Sequence, residues 1–316
     1  AIAAIKALRQ DKRIKIISTD TDKLAPGLYL SDEGYIVPPF ESKSFYSKLK
    51  SIIKKEKVDV IFPCLDTILL EFSKRKAEFE SLGAKTVISK QRTIEITRDT
   101  WRMYNELKDI VPLPRSFIKK EEVDIDFPLF IKPRFGSGSV DAHRINSKEE
   151  LDFFYSRINR AIIQEYLEGK EYTVDCLADM KSNLMVSIPR ERIATKAGIS
   201  IKGRIVKNKM LERIAEKIAK RIEFFGPFFF QAKENREGEP KLTEINARIG
   251  GTMCLSSLSG PNLHVAAVKL CIGETVEMPE IEWGKYVTRF LEEIYLNDKK
   301  TKHCINCKNI QHWATG

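Results

Sequence analysis

In the run KLTEINAR (241–248) a carboxylate, Glu244, and a carboxamide, Asn246, stand two residues apart, with Arg248 following at the same interval. Leu242, Ile245 and Ile249 supply the apolar content of a buried strand, and strand geometry puts Glu244 and Asn246 on one face. FFFQAKE (228–234) precedes this run across the polar turn REGEP, so the two read as an antiparallel hairpin whose register can bring Gln231 to the same side. One carboxylate with carboxamides is a hard-oxygen set of the kind Mg²⁺ uses, water and phosphate oxygens completing its shell. The polar face of an edge hairpin has the same pattern. Spacing leaves both open.

Three other stretches carry chemistry. In FIKPRFGSGSV (130–140), Lys132 ends an apolar run and Gly136, Ser137, Gly138 and Ser139 follow. Backbone N–H groups of such a loop can approach phosphate oxygens while a lysine adds a point charge. No GKS or GKT closes it, so it is not a Walker loop, and a flexible surface turn reads the same way. In IIQEYLEGKEYTVD (162–175), two apolar runs joined by a short polar break could clamp a planar ring, with Glu171 near a ribose; a plain hairpin or crossover is the other reading. In SIPRERIATKAGISIKGR (187–204), Arg190, Lys202 and Arg204 are candidates for a substrate carboxylate or phosphate, or for a solvated basic loop. The tail holds His303, Cys304, Cys307 and His312, whose CxxC could bind zinc but lacks a second pair at finger spacing; buried thiols or a frayed terminus fit as well.

The elements that must position these residues fall into two styles. Through residues 1–92, short apolar strands (IKIIST to Asp20, GYIVPP, VDVIFPCL, KTVIS) alternate with helices (FYSKLKSIIKKEK, ILLEFSKRKAEFESLG), the pattern of a parallel sheet with helices on its faces. Asp20 at a strand end suggests a dinucleotide ribose acid, but no glycine fingerprint precedes it. AIAAIKALRQ reads as a helix without cap or preceding strand, so an element is expected before Ala1. A helix from Thr93 to Asp109 and the proline-marked VPLPRSF lead into a second unit. There, helix SKEELDFFYSRI with capping-box spacing at Ser147 and Glu150, strand LMVSIPRERI, amphipathic helix MLERIAEKIAKRIEF and closing helix PNLHVAAVKLCIG give an α+β reading with antiparallel signals.

Bulk properties limit the function classes. The chain has 316 residues, 42% of them hydrophobic, enough for two domains. No run reaches the roughly 18 apolar residues of a membrane helix, and no signal peptide is recognisable, so a cytoplasmic protein without a membrane partner is expected. The net charge of +10 comes from 54 Lys and Arg against 44 Asp and Glu. The lysines are spread along helices, which fits solvated faces and polyanionic substrates better than a nucleic-acid footprint. Cys64, Cys176, Cys254 and Cys271 lie among apolar residues as buried reduced thiols.

In order and separation, FPLFIKP, the Gly/Ser loop, QEYLEGKEYTVD and TEINAR resemble the ATP-grasp superfamily, most nearly the ATP-grasp domains of carbamoyl phosphate synthase large chains and small single-domain ligases like them. The resemblance implies a Rossmann-like pre-ATP-grasp domain over 1–92 with its first strand missing, an ATP-grasp domain over 93–282 and a C-terminal segment over 283–316. It implies Lys132 on the α/β phosphates, Gly136–Ser139 as the loop closing over the β and γ phosphates, and Gln164, Glu165, Tyr166 and Leu167 as the adenine hinge. Glu171 is then the ribose acid, Gln231, Glu244 and Asn246 the ligands of Mg²⁺ (or Mn²⁺), and Arg248 the arginine that steadies the γ-phosphate. The implied activity is ATP-dependent activation of a small carboxylate as an acyl phosphate and its transfer to an amine, by a chain of a type commonly dimeric. A bicarbonate- or carbamate-phosphorylating enzyme and an ATP-binding module without turnover are the alternatives. Three departures stand out. Asp99 is followed by Thr100 rather than the family's base, leaving Arg102 as a substitute. The loop GSGSV is shorter than the Gly-rich loop of true carbamoyl phosphate synthases, and a single grasp unit differs from their paired units.

Overall fold

A computed structural model describes residues 2–136 and 138–296, together with the backbone of 305–306. The N-terminal strands pair in parallel as their alternation with helices requires: Ile17–Asp20 with Glu33–Ile36, and Val60–Ile61 with Lys85–Thr86. Helix Phe45–Glu56 buries Phe45, Leu49, Ile52 and Ile53, one stripe at helical spacing, and ends where Lys57 turns left-handed at φ 51°. VDVIFPCL forms a much shorter strand than its apolar content suggests. Pro63 has no N–H to continue the ladder.

The helix expected over 93–109 is two helices, Gln91–Thr97 and Thr100–Leu107. Asp99 separates them: its buried carboxylate accepts from the N–H groups of Trp101 (3.0 Å) and Arg102 (3.4 Å), capping the second helix instead of continuing the first. At Ser147 the capping box is half formed. Its hydroxyl accepts from Glu150 N, but the Glu150 carboxylate reaches back to Asn146 N at 2.7 Å.

The second unit contains two antiparallel sheets. The smaller runs in the order Ser116–Phe117, Ala161–Glu165, Leu129–Pro133, His143–Ile145. Leu129, Ile131, Ile145 and Ile163 are buried together, with helix Lys148–Arg157 contributing Leu151. The larger runs Pro240–Asn246, Gly226–Glu234, Glu171–Ala178, Leu184–Lys196, Ile199–Ile205, Tyr286–Thr288. Tyr172, Val174, Phe228, Phe230, Ala232, Leu242 and Ile245 form its buried face, part of one core with helix Lys209–Arg221, which contributes Leu211, Ile214, Ala215 and Ile218. Each phenylalanine there contributes about 1.5–3 kcal/mol relative to exposure. The runs either side of EGK therefore do not pair with each other; they belong to different sheets. Gly169 between them lies so close to strand Gly226–Glu234 that a Cβ would fall 2.5 Å from that of Glu234, a position no other residue fits.

The N-terminal unit is tied to the second unit by side chains. Thr93 Oγ1 donates to Glu223 O at 2.7 Å, Phe225 N donates to Ser89 Oγ at 3.1 Å, and Lys90 pairs with Glu223 at 2.6 Å. Of the four cysteines placed among apolar residues, Cys176 and Cys271 are buried, whereas Cys64 and Cys254 are half-buried; all four are free. Cys304, Cys307 and their neighbouring histidines lie outside the described residues. Among the described residues no helix is long and apolar enough to cross a membrane.

Helix Leu263–Ile272 packs His264 with no solvent exposure, its Nδ1 3.2 Å from Ser257 Oγ and its ring stacked on Phe62. Burial pushes its pKa down to about 4. The unfolded chain therefore takes up a proton near pH 6.5 that the folded chain refuses until about pH 4, so this group lowers stability progressively across that window as pH falls. Urea unfolding of wild type and His264→Leu at pH 7 and pH 4 tests this: the stability difference between them shifts by about 3 kcal/mol in favour of the leucine variant at the lower pH.

Candidate functional site

The second face of the large sheet is polar over part of its area, and its register assembles the candidate residues in rows. Glu244 lies opposite Gln231, Gln231 opposite Thr173, and Thr173 opposite Arg190. The next row holds Asn246, Phe229, Asp175 and Ile188. Directly paired antiparallel residues share a face, so Gln231, Glu244 and Asn246 stand together, as the hairpin reading requires. Asn246 Nδ2 donates to Glu244 Oε1 at 2.7 Å, leaving Glu244 Oε2 and Asn246 Oδ1 as oxygen donors. One carboxylate and two carboxamides form a hard-oxygen set that suits a divalent cation keeping water or phosphate ligands. Among the described residues no three His, Cys, Asp or Glu side chains gather into a metal cage.

The ladder skips Thr243, since Ala232 pairs with Leu242 and Gln231 with Glu244. That bulge frees a carbonyl, and Lys132 Nζ donates to Thr243 O at 3.3 Å from the end of the small sheet. Burial holds the Lys132 ammonium below the usual lysine range, while Glu244 opposes the shift. A second link between the sheets joins Lys241 to both oxygens of Glu165 at 2.7 Å. The hinge backbone is partly engaged: Glu165 N donates to Arg115 O at 2.8 Å. Gln164 is buried with its amide on Ser116 Oγ, Leu167 is buried, and Tyr166 lies between Arg144 and Lys233. Gly136, Gly138 and Ser139 are exposed, and Gly138 and Ser139 meet the hairpin tip at Gly198 closely enough that a Cβ there would lie 3.2 Å from Ser139 Oγ. Ser137 lies outside the described residues.

The three basic candidates separate. Arg190 is fully buried, its Nη2 3.1 Å from Asp175 Oδ2 and 2.9 Å from Thr252 Oγ1, while Ser256 Oγ donates to the same Asp175 oxygen at 2.5 Å. Lys202 and Arg204 are exposed on the opposite face, with Arg204 over the Tyr286 ring. Between Arg190 and the loop stands Arg192, which the sequence reading passed over. It lies 3.0 Å from Glu171 and donates to Gly198 O at 2.7 Å, and its place two residues beyond Arg190 was the available signal. Arg134 was also passed over. Its guanidinium forms a fork on Asp99, with bonds of 3.1 and 2.6 Å, at the root of the Gly/Ser loop, while Arg102 turns outward toward Glu95. Arg248 forms a fork on Asp66 of the N-terminal unit, a partner that no local signal marked.

Residues 157–291 match the family described as ATP-grasp in the biosynthetic pathway with Ter operon, and residues 2–88 match the PylC-like N-terminal domain. The chain carries an ATP-grasp domain behind a PylC-like N-terminal domain. A Methanobrevibacter smithii protein named carbamoyl-phosphate synthase is 25% identical, over 84% of this ATP-grasp chain and 76% of the relative. A Thermotoga petrophila D-alanine–D-alanine ligase is 29% identical over 47% of this chain, which spans half (50%) of that relative's length. Among solved structures, the biotin carboxylase domain dimer of Hydrogenobacter thermophilus 2-oxoglutarate carboxylase, in complex with MgADP, ADP and bicarbonate, superposes with a TM-score of 0.74 at 15% identity. That match covers 90% of this chain and 70% of the other and is a likeness of fold.

The polar rows of this ATP-grasp sheet depend on complete ion pairs. Arg190→Ala leaves Asp175 buried without its cation and lowers stability by about 3–5 kcal/mol. Arg190→Met with Asp175→Leu recovers most of that loss, and urea denaturation of both variants measures it.

Proposed function

We propose that this chain is an ATP- and Mg²⁺-dependent ligase that activates a small carboxylate as an acyl phosphate and transfers it to an amine. The observation that carries this reading is the row Glu244–Gln231 with Asn246 beside it, entered from the other sheet by Lys132 and followed by Arg248. Gln231, Glu244 and Asn246 would hold Mg²⁺ or Mn²⁺, which when bound neutralises charge across the β and γ oxygens of the nucleotide. Lys132, partly buried at the end of the small sheet, contributes an ammonium for the α/β phosphates. Gly136, Ser137, Gly138 and Ser139 offer N–H groups to the β and γ phosphates. The hinge Gln164–Leu167 takes the adenine, and Glu171, steadied by Arg192, takes the ribose. Arg248 stabilises the charge that develops when the carboxylate attacks the γ-phosphate. Of the three basic candidates for the acceptor side, Arg190 stays one through its unpartnered Nη1, whereas Lys202 and Arg204, on the opposite face of the sheet, drop out. The reading divides the chain into a pre-ATP-grasp domain over 1–92, the grasp over 93–282 and a C-terminal segment. It also takes the enzyme to work in the cytoplasm, as a homodimer like the Hydrogenobacter domain.

The relative named carbamoyl-phosphate synthase and the neighbour solved with bicarbonate favour a second reading, in which bicarbonate or carbamate is the acid that is phosphorylated. One experiment separates them. Mg²⁺-dependent ADP release is followed against amino acids, small carboxylates and bicarbonate. Release that requires an organic acid and an amine is the expected result, and Glu244→Ala lowers it by about 10²–10³-fold. Release with bicarbonate alone selects the second reading. Nucleotide binding without release on any acid makes the chain a binding module.

A further inference from the structure

Each of the three Arg248 nitrogens has a partner within the chain. Its Nε donates to Asp66 Oδ1 at 2.6 Å, its Nη2 donates to Asp66 Oδ2, and its Nη1 donates to Ile249 O at 2.7 Å. The two nitrogens facing Asp66, Nε and Nη2, form one of the guanidinium's two forks, so an anion that takes this edge competes directly with Asp66. The group also lies near the proposed transfer site. Its central carbon is 5.4 Å from the Phe229 ring centroid, and Phe229 is directly opposite Asn246 in the ladder.

Asp66 belongs to the other unit, where it opens helix Asp66–Lys74. A carboxylate in a first helical turn is favourable through the helix dipole alone. That local role does not require a two-bond arginine partner 182 residues away. The pair is neither sealed nor loose: the side chains are 15% and 34% exposed, so water can take over from either partner while Arg248 changes acceptor.

We propose that Asp66 is a positioning residue that latches Arg248. It holds the Nε/Nη2 edge of the guanidinium on the N-terminal unit, and a terminal phosphate on the Glu244–Asn246 face that takes this edge draws it away. The inference rests on the reading of Arg248 as the arginine for that phosphate, and it adds a competitor for the same nitrogens. Neutralising Asp66 removes the competitor and leaves the guanidinium charge uncompensated. Anions that reach Arg248 then bind more tightly, and anions that stop short of it do not.

Calorimetric titration of the full chain with the magnesium complexes of ATPγS and ADP tests this in wild type, Asp66→Asn, Arg248→Gln and the double variant, each checked for folding by its Tm. Asp66→Asn is expected to bind MgATPγS about fivefold more tightly, with MgADP unchanged. The gain disappears in the Arg248→Gln background, and Asp66→Glu restores wild-type affinity. Asp66→Ser serves in place of the amide if that variant fails to fold. An unchanged MgATPγS affinity, an equal gain for both nucleotides, or a gain that persists without Arg248 overturns the latch while leaving the site reading intact. A wild-type chain that binds neither nucleotide removes the site reading, and the latch with it.

Discussion

Along Gly226–Glu234 the side chains alternate: Phe228, Phe230 and Ala232 go to the core that includes helix Lys209–Arg221, and Phe229, Gln231 and Lys233 to the other side. A slip of one residue would carry Gln231 into that core and take Phe228 and Phe230 out of it. The hydrophobic requirement of one face therefore sets the position of every polar side chain on the other. Strand Pro240–Asn246 is registered against this strand, so Leu242 and Ile245 hold Glu244 and Asn246 in place by packing on the far side of the sheet. The bulge at Thr243 is part of the same arrangement. It lets Leu242 and Ile245 both reach the core despite an odd spacing, and it frees the carbonyl that Lys132 meets.

A polar face that helices and loops partly cover must satisfy its charges locally, because an isolated ion in a weakly solvated place is far less stable than a paired one. Five cations there have a named counterpart: Arg190 with Asp175, Arg192 with Glu171, Lys241 with Glu165, Arg134 with Asp99, Arg248 with Asp66. Most of these pairs join different strands or different sheets. They also orient the side chains that chemistry would use. Glu171 is held by Arg192 from the neighbouring strand, and Arg134 is turned by an aspartate that also caps a helix. Lys132 differs in having a carbonyl as its close partner and a more distant carboxylate, and its pKa is correspondingly lowered by burial.

The two units depend on each other through this network. Residues 89–93 are bonded to 223–225, just ahead of the strand that carries Gln231, and Asp66 is bonded to the arginine just beyond the strand that carries Glu244. The N-terminal unit thus touches both strands of the central hairpin at its open end, away from the turn. A change in its position would be felt at the hairpin through charge and hydrogen bonds rather than through apolar packing alone.

What the sequence by itself determined is local and periodic. The alternating strands, the stripe of helix Lys209–Arg221, the hairpin across REGEP and the shared face of Gln231, Glu244 and Asn246 all follow from side-chain periodicity and a short turn, which act within a few residues. Motif order added the family, since FIKP, the Gly/Ser loop, the hinge and INAR keep their succession without any knowledge of distance. Where a breaker acted on the backbone, the local reading overran: Pro63 shortened one strand and Asp99 divided one helix. The tertiary structure alone decided the pairings. Nothing near Asp66 marks it as the partner of Arg248, Arg134 reaches Asp99 across 35 positions, and Lys202 and Arg204 left the face of Arg190 through strand register. Charge partners are chosen by proximity in space, and a low dielectric makes that choice matter. Proximity between distant segments is set by how the sheets stack, which no window of the sequence contains.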